Sequence, residues 1–431
     1  MPTIDTIDTV VIGAGHAGLA VSRLLTQAGR DHVVLDRGRL AESWRSERWD
    51  SLNLLSPNWM TRLPGWIYGG ADQEGFMSAG GFVRYLEKYA DSFAAPVETG
   101  TTVEELVSGP GSGYRVVTDR GTWQAKYVVL ATGPWGQPHV PTSMERLDPG
   151  IELVGSSHYR NPSRLHPGGV LVVGSSASGV QIADELARAG RDVVLAAGRH
   201  IRMPRRYRGM DIYWWLERTG RLARTIDQVA DPVAARREPS IQVVGRNEPE
   251  RYAEDLDLQS LQNLGVRVVG RMAGTDRSRM TFADDLETNV RDADRRMHRV
   301  LDGIDRHIDV TGLADEVLAP HRPGAVQLRG APRTLDLKTE GIGTVLLATG
   351  FRPHYPWLRL PILGSDGAIV QRRGVTPAPG VYVVGQPFQH RRDSGSIDGA
   401  RHNARDVVGH LCGRAPAESR RVAGEEDVVA S

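Results

Sequence analysis

Short apolar runs, glycine-rich turns and stretches of helical periodicity follow one another near the start of the chain. Residues 7–12 (Ile-Asp-Thr-Val-Val-Ile) are typical of a buried parallel strand, and helical periodicity continues beyond the next glycines to Ala28. Gly29 is expected to end that helix, and residues 33–35 predict a second strand. This order of elements is typical of a dinucleotide-binding unit.

The same pattern returns in the middle of the chain. Residues 170–195 repeat the order of strand, glycine loop, helix and strand, with the loop at 174–179. In both copies Ala-Gly-Arg-Asp follows the helix at the same offset from the first loop glycine, at residues 28–31 and 189–192. We therefore predict an α/β protein with two Rossmann-like dinucleotide-binding domains.

The first loop has the glycine spacing that a bound diphosphate requires. Gly13 permits the tight turn, Gly15 lets the backbone approach the diphosphate, and Gly18 lets the helix pack on the strand. The diphosphate binds at the helix N-terminus, where free N–H groups and the helix dipole favour anions. Asp36 ends the second strand, where an acidic residue accepts the ribose hydroxyls. We assign FAD to this unit, with further contacts from His16, Ala17 and Arg37.

The second loop and the strand after it differ from the first unit at positions that determine which dinucleotide binds. Ser176 replaces the middle glycine, and its small side chain should still let phosphates approach. Where the first unit has Asp36 after its second strand, the second unit has only alanines, Ala196 and Ala197, and Arg199 follows. A carboxylate would repel a 2′-phosphate, whereas an arginine pairs with it through a charge-assisted bond of about 1.5–3 kcal/mol. We predict NADPH here, bound by Gly174, Ser175, Ser176, Ser178, Gly179 and Arg199; the alternative is that Arg199 is only solvated.

Two Ala-Thr-Gly segments, at residues 131–133 and 348–350, each follow a predicted strand and precede a turn with proline. We interpret them as the connections into and out of an inserted NADPH domain. The arginine-rich insertion within that domain either covers the active site or is a solvated decoration with a local aromatic core. The predicted layout is an FAD-binding domain of residues 1–138 and 352–414, an NADPH-binding domain of residues 139–351 with a helical insertion at about 202–309, and a disordered tail at 415–431.

Composition and charge narrow the classes of function. The 431 residues are 40% hydrophobic and 24% charged with a net charge of +1, so no overall field favours nucleic acid or an anionic membrane. The apolar stretch at residues 9–21 is too short and too interrupted to span a bilayer, and it lacks the features of a signal peptide. We therefore expect a cytoplasmic protein without nucleic-acid or membrane partners.

Cysteine and histidine usage excludes two further kinds of chemistry. Cys412 is the only cysteine, so flavin-dependent reduction of disulfides through two thiols is excluded. His158, His166 and His200 are too scattered to form a ligand set, and we predict no metal site.

Several motifs together resemble the class B flavin-dependent monooxygenases, which include flavin-containing monooxygenases, YUCCA-type enzymes and Baeyer–Villiger enzymes. Residues 43–45 (Ser-Trp-Arg) and 49–57 (Trp-Asp-Ser-Leu-Asn-Leu-Leu-Ser-Pro) resemble the family's loop along the flavin. The Ala-Thr-Gly segments and residues 380–385 (Gly-Val-Tyr-Val-Val-Gly) match as well. One position departs from the family fingerprint: Tyr159 is its aromatic residue, but Gly155 occupies the place of its histidine in the interdomain linker.

The resemblance implies the cofactors and the reaction. In the family NADPH reduces the flavin, O₂ adds at C4a, and the C4a-peroxyflavin transfers one oxygen atom to the substrate. We expect a small, largely apolar substrate, with N- or S-oxygenation, Baeyer–Villiger insertion and hydroxylation left open. The alternatives are an NADPH-dependent electron-transfer reductase serving a ferredoxin and, third, a flavin-bound regulatory protein without turnover.

The resemblance also implies which side chains face the flavin. Asn53, Ser56 and Arg45 are the predicted catalytic residues, with packing or loop capping as the alternative role. The other predicted flavin contacts are Trp44, Arg45, Leu54, Val103, Ala131, Thr132, Gly133, Gly385, Gln386 and Ile397. The residues expected to line a substrate pocket, or otherwise to belong to the ordinary core, are Trp59, Met60, Trp66, Tyr213, Trp214 and Trp357.

Overall fold

The computed structural model describes residues 4–134, 136–414 and 428–430. Most of the predicted disordered tail, at 415–427 and 431, lies outside the described residues. The strands in chain order are β1 (Ile4–Ile12), β2 (His32–Leu35), β3 (Arg62–Leu63), β4 (Trp66–Tyr68), β5 (Val97–Glu98), β6 (Val103–Ser108), β7 (Tyr114–Thr118), β8 (Gly121–Leu130), β9 (Gln137–Pro138), β10 (Glu152–Gly155), β11 (Gly169–Val173), β12 (Val193–Ala196), β13 (Ile201–Arg202), β14 (Arg206–Tyr207), β15 (Met210–Asp211), β16 (Ile241–Gln242), β17 (Arg267–Val269), β18 (Met272–Asp276), β19 (Arg279–Phe282), β20 (Thr334–Asp336), β21 (Ile342–Leu347), β22 (Phe351–Arg352), β23 (Val381–Val383) and β24 (Val428–Ala430).

The α-helices in chain order are α1 (His16–Gln27), α2 (Glu42–Ser46), α3 (Ala79–Asp91), α4 (Ala177–Arg188), α5 (Ile212–Arg218), α6 (Pro232–Arg236), α7 (Leu258–Asn263), α8 (Leu286–Thr311) and α9 (Ile397–Leu411). Short 3₁₀ helices lie at Asn58–Met60, Thr142–Arg146, Pro162–Arg164, Ile226–Gln228, Pro249–Arg251 and Ala314–Glu316. Among the described helices, none combines the length and the apolar character that a membrane crossing requires.

The first sheet has the strand order β5-β2-β1-β8-β7-β6, with β23 also paired to β8. Strands β1, β2, β5, β8 and β23 are mutually parallel, and β6 and β7 add an antiparallel hairpin. Alternate side chains of β1 point to opposite faces: Val11 packs against α1 and α9, while Val10 and Ile12 enter a second core. Burial on both faces explains why Val10, Val11 and Ile12 are all apolar at the carboxyl end of this strand.

The second sheet has the order β10-β21-β11-β12-β17 and is parallel throughout. Its edge strand β17 lies inside residues 202–309, which we predicted as a helical insertion. That prediction does not hold at β13 through β19, because these short strands interrupt the helices of the range and β17 completes the second sheet. The run Arg-Val-Val of β17 is too short, among many arginines, to show a strand period.

The rest of the insertion is built around α5 and α8. Four buried residues of α8, Met297, Leu301, Ile304 and Ile308, follow helical spacing and pack against Trp215 of α5. The helix ends at Gly312, whose φ of 70° is the left-handed conformation common at helix ends. The insertion therefore has its own local core, as one of our two interpretations expected.

The two connections between the halves of the chain run side by side. Strand β9 pairs antiparallel with β22, directly at the predicted boundaries 138/139 and 351/352. The boundaries themselves stay a prediction. At the other end of the chain, β24 lies parallel to β4, so the prediction of a disordered tail does not hold for Val428–Ala430.

Candidate functional site

Two of the three glycines in the first glycine loop pack so closely against backbone atoms that no side chain would fit. Gly13 has a φ of 111°, and a Cβ there would lie 2.6 Å from the carbonyl oxygen of Ala131. A Cβ on Gly18 would lie 1.9 Å from the carbonyl oxygen of Gly13. Beside Gly15, in contrast, a Cβ would meet no atom within 4 Å. The middle glycine therefore leaves open space on the ligand side of the turn.

The second glycine loop repeats this geometry. Gly174 has a φ of 110°, with a Cβ position 2.4 Å from the carbonyl oxygen of Ala348. The Cβ position of Gly179 lies 1.8 Å from the carbonyl oxygen of Gly174. Each loop thus turns against the alanine of one Ala-Thr-Gly segment. Ser176 fits because the equivalent position in the first loop is open.

Both loops lie at the carboxyl ends of their parallel strands and border one cleft of about 1330 Å³. Such a crevice is where ligands bind in open α/β sheets. The predicted cofactor and catalytic residues that line it are Gly13, Gly15, His16, Ala17, Asp36, Arg37, Trp44, Asn53, Leu54, Ser56, Val103, Ala131, Thr132, Gly133, Ser178, Gly385 and Ile397. Of the predicted pocket residues, Met60, Tyr213 and Trp357 line it as well, whereas Trp59, Trp66 and Trp214 are not among the lining residues.

Asp36 stands at the end of β2, beside the first loop. Its carboxylate accepts hydrogen bonds from the backbone N–H of Ala14 at 2.7 Å and of Gly38 at 2.9 Å. These two bonds fix the carboxylate at the cleft wall. Arg37 points outward and pairs with Glu47 at 3.0 Å.

His16 is a half-buried polar residue in the first loop. Its Nε2 is shielded from solvent and has no hydrogen-bond partner in the described part of the chain. Burial lowers the pKa of His16 to about 4, so the ring is neutral at physiological pH. A neutral imidazole that lines the cleft with one unsatisfied nitrogen fits a polar ligand at this position.

Two predicted flavin contacts do not line the cleft. Arg45, predicted as catalytic, turns away from it: its guanidinium pairs with Glu87 of α3 and donates to the Leu40 carbonyl at 3.0 Å. That prediction is corrected here, because α3 supplies a carboxylate on the far side of α2. Gln386 is also absent from the lining, and its side chain hydrogen-bonds to Tyr355, which lines the cleft.

The second loop is covered by the insertion. The hydroxyl of Ser240 accepts a hydrogen bond from the Ala177 N–H at 3.2 Å, and the Gln242 side chain donates to the Ser175 carbonyl at 2.7 Å. Ala177 and Ser178 line the cleft, whereas Gly174, Ser175, Ser176 and Gly179 are not among the lining residues. A dinucleotide at this loop would therefore replace Ser240 at the start of α4.

Arg199 lies just after β12 and is exposed. Among the described residues it makes no hydrogen bond or ion pair, and it is not part of the cleft lining. An exposed and unpaired guanidinium at the end of the second strand is free to meet a 2′-phosphate.

Arg160 joins the flavin loop to the linker ahead of the second sheet. Its guanidinium donates to the carbonyls of Ser46, Arg48, Ser157 and Tyr159, and its own carbonyl accepts from the Asp50 N–H at 2.9 Å. Tyr159 adds a hydrogen bond of 2.9 Å from its hydroxyl to Glu185 of α4. The linker that lacks the fingerprint histidine therefore ties the two units together through Arg160.

Replacing Arg160 with alanine is expected to slow flavin reduction by NADPH roughly tenfold to hundredfold, because small misplacements of reacting groups cost about that much. Flavin content should be unchanged, since Arg160 does not line the cleft. Single-turnover reduction followed in a stopped-flow instrument measures the effect. Arg164→Ala is the matched control in the same linker, and equal reduction rates in both variants would contradict the role.

One cluster has the composition of a metal site. Ligand atoms of Asp393, Asp398 and His402 lie within 4.8 Å of one another. Arginines already pair with its carboxylates: Arg391 with Asp393 at 2.9 Å, and Arg62 with Asp398 at 2.6 Å. We therefore interpret the cluster as an ion-pair network near the start of α9.

Sequence reasoning missed several parts of the cleft wall. The missed residues include Thr101, Thr102, Ser156, Ser157, Arg221, Arg224, Arg299 and Arg392. The two threonines follow β5, the edge strand of the first sheet, so strand order would have found them. The density of arginine in the insertion was visible, but which arginines face inward depends on how α5 and α8 pack.

Comparisons with known proteins agree with this geometry. A family model described as "Pyridine nucleotide-disulphide oxidoreductase" matches residues 10–210. An uncharacterized oxidoreductase, CzcO-like, from Geobacillus kaustophilus is 29% identical over 411 residues, covering 94% of this chain and 99% of the relative. Indole-3-pyruvate monooxygenase YUCCA1 of Oryza sativa is 27% identical over 420 residues, covering 92% of this chain and 90% of the relative. A flavin-containing monooxygenase from Stenotrophomonas maltophilia has a similar structure, with a TM-score of 0.65 and 22% identity over 95% of this chain and 99% of that one.

These similarities confirm the predicted fold class, α/β with two Rossmann-like units. The chain is similar to class B flavin-dependent monooxygenases, as its motifs predicted. The cofactor pair of that family, FAD with NADPH, is the pair that we predicted. The matched family description includes disulfide reduction, but with Cys412 as its only cysteine the chain lacks the two thiols for that chemistry.

Proposed function

We propose that the chain is an NADPH-dependent FAD monooxygenase that transfers one oxygen atom from O₂ to a small organic substrate. The observation that supports this best is that two dinucleotide loops of the same geometry border one cleft. Two cofactors bound there would meet inside a single enclosure. Hydride transfer between them requires such a meeting.

The first loop is the proposed site of FAD. The open space beside Gly15, the N-terminus of α1 and the fixed carboxylate of Asp36 suit a diphosphate with its ribose. The first turn of α9, beginning at Ile397, borders the same cleft and offers backbone N–H groups to the flavin ring. Flavin bound there would supply the redox chemistry, accepting a hydride from the nicotinamide and activating O₂.

The second loop is the proposed site of NADPH. Ala177 and Ser178 at the start of α4 would face the diphosphate, and Arg199 would pair with the 2′-phosphate. Ser156 and Ser157, which line the cleft near the linker, would border the nicotinamide half.

Asn53 and Ser56 are the proposed polar groups beside the reacting atoms. Asn53 is buried, and its amide donates to the Gly245 carbonyl at 3.2 Å, which fixes its side chain between the flavin loop and the insertion. Tyr213 and Leu216 of α5 add largely apolar surface to the same cleft. Such a surface excludes water, which protects an oxygenating flavin from wasteful hydrolysis.

Rapid mixing with oxygen tests this function against electron transfer. The enzyme is reduced with one equivalent of NADPH and mixed with O₂ while the flavin spectrum is recorded. We expect a transient species with an absorbance band distinct from oxidised and reduced flavin, and label from ¹⁸O₂ in the product of an accepted substrate. Direct return of oxidised flavin, together with rapid reduction of a ferredoxin, would instead assign the chain to the electron-transfer reductases.

A further inference from the structure

Four arginines from three separate segments meet on one wall of the cleft. Arg221 and Arg224 follow α5, Arg299 lies on α8, and Arg392 precedes α9. The backbone fixes two of them side by side, because the Arg392 N–H donates to the Arg224 carbonyl at 2.9 Å. We refer to these four residues as the arginine wall.

The arginine wall carries more positive charge than its neighbours neutralise. Glu238 pairs with Arg392, but the other three make no ion pair among the described residues. Arg224 donates only to the Gln228 carbonyl, at 2.6 Å, and Arg299 only to the Arg295 carbonyl, at 3.4 Å. Asp393 and Asp398, which also border the cleft, are occupied by other arginines. The positive charges of neighbouring guanidinium groups repel one another, and an anion bound between them would relieve this repulsion.

The pKa of Arg221 is affected by its burial and by the neighbouring positive charges. Enclosure by the cleft walls, together with the guanidiniums of Arg392, Arg224 and Arg299, lowers the pKa of Arg221 below its ordinary value. All four side chains nevertheless reach solvent, so an anion can enter between them.

The surface next to the arginine wall is apolar. Leu222 is adjacent to Arg221, and Val300 is adjacent to Arg299; both line the cleft. Leu216 of α5 continues this surface, and all three belong to or pack against the local core of the insertion. A ligand with one anionic end and an apolar body matches this combination, whereas the two ends of a dinucleotide are both polar.

The arginine wall also lies close to the proposed flavin site. Arg392 is followed by Asp393, Gly395, Ser396 and Ile397, which border the cleft at the start of α9. It is distinct from Arg199, which does not line the cleft. The structure therefore contains two separate arginine sites, one at the second glycine loop and one beside the flavin end of the cleft.

We propose that the arginine wall binds the anionic group of the substrate, and that the substrate is an organic acid, a carboxylate or sulfonate attached to an apolar body. This inference rests on the proposed function and narrows the substrate class predicted from the sequence, a largely apolar molecule. The arginines hold the acid group while the body lies along Leu216, Leu222 and Val300.

Binding without turnover tests the inference. Oxidised, FAD-loaded enzyme is titrated with 4-phenylbutyrate and with the uncharged 4-phenylbutyramide, by calorimetry and by the shift of flavin absorbance. We expect the acid to bind roughly tenfold or more tightly than the amide, as a charge-assisted hydrogen bond implies. Added sodium chloride should weaken binding of the acid and leave binding of the amide unchanged, because the arginine wall is exposed to solvent and its charges are screened by salt.

Variants separate the arginine wall from other basic residues. Arg221→Ala and Arg299→Ala should each lower the affinity for the acid about tenfold, whereas the affinities for the amide and for NADP⁺ should be unchanged. Arg295→Ala is the matched control, since Arg295 lies on the outer side of α8 and pairs with Asp292. Flavin content and circular dichroism verify that each variant is folded.

Three results would overturn the inference. The first two are that the wild-type enzyme binds acid and amide equally, or that it fails to bind the acid at its solubility limit. The third is that the arginine variants bind NADP⁺ more weakly while their affinity for the acid is unchanged. The last result would assign the arginine wall to the phosphates of the dinucleotide. These titrations involve no turnover, so they remain informative if the oxygen experiment fails. Oxygenation by an enzyme that does not distinguish acid from amide would overturn only this inference.

Discussion

Replacing Gly15 with valine is expected to yield a folded protein that no longer retains FAD. The Cβ position at Gly15 meets no atom within 4 Å, and its backbone is extended with a φ of −81°, so the chain itself accepts a side chain there. The proposed diphosphate needs that space, because its oxygens must reach the N–H groups at the start of α1. We therefore expect flavin content after purification to fall to a small fraction of that of the wild type.

Gly18→Ala separates loss of ligand from loss of structure. A Cβ at Gly18 would lie 1.9 Å from a carbonyl oxygen of the same loop, so α1 must shift away from β1. Overpacking of this kind costs about 1–3 kcal/mol or more, out of a typical total of about 5–15 kcal/mol. We expect a lower Tm for this variant even without flavin, whereas Gly15→Val should have the Tm of wild-type apoprotein.

Absorbance of the released flavin and thermal unfolding of the apoproteins measure the two effects. Gly409→Ala is the control: its Cβ position on α9 is also free of neighbours, and the change should preserve flavin content without lowering Tm, because alanine favours a helix more than glycine does. A Gly15→Val protein with full flavin content would refute the assignment of FAD to the first loop.

The parts of the fold that sequence predicted well are those specified by local pattern. The carboxyl end of β1 is buried on both faces, so Val10, Val11 and Ile12 are all apolar, and the first and third glycines of each loop are required by contacts within about five residues or with an Ala-Thr-Gly segment. Helix α1 ends just before Gly29, as predicted, and Gly190 follows α4 in the same way; the two glycines have φ values of 64° and 79°. These features appear in the sequence because each depends on neighbouring residues.

The parts that sequence could not predict depend on distant contacts. Arg45 belongs to the predicted flavin loop, but Glu87 on α3 draws its guanidinium away from the cleft. Strand β17 is recognisable only by its pairing with β12. The arginine wall combines residues as far apart in sequence as Arg221 and Arg392, whose segments meet through backbone hydrogen bonds near α9. No local period records such a meeting, so only the folded chain reveals it.

Arg199→Ala is expected to lower kcat/KM for NADPH about tenfold to hundredfold while leaving that for NADH nearly unchanged. The two cofactors differ only in the 2′-phosphate, and a charge-assisted hydrogen bond to it contributes about 1.5–3 kcal/mol. In the described part of the chain Arg199 has no carboxylate to satisfy it, so its removal disturbs no internal ion pair. The loss should appear in KM rather than in kcat, because the 2′-phosphate lies far from the hydride and binds equally well before and during its transfer.

Steady-state oxidation of NADPH and NADH by wild type, Arg199→Ala and Arg199→Lys measures this preference. Lysine retains the charge without the bidentate geometry of arginine, so an intermediate KM is expected for that variant. Arg146→Ala serves as the control, since Arg146 is exposed and its ion pair with Asp276 lies at the surface. If Arg199→Ala raised KM equally for both cofactors, Arg199 would contact a part that they share, such as the adenine ring. Any preference for NADPH would then rest only on the absence of an acidic residue after β12.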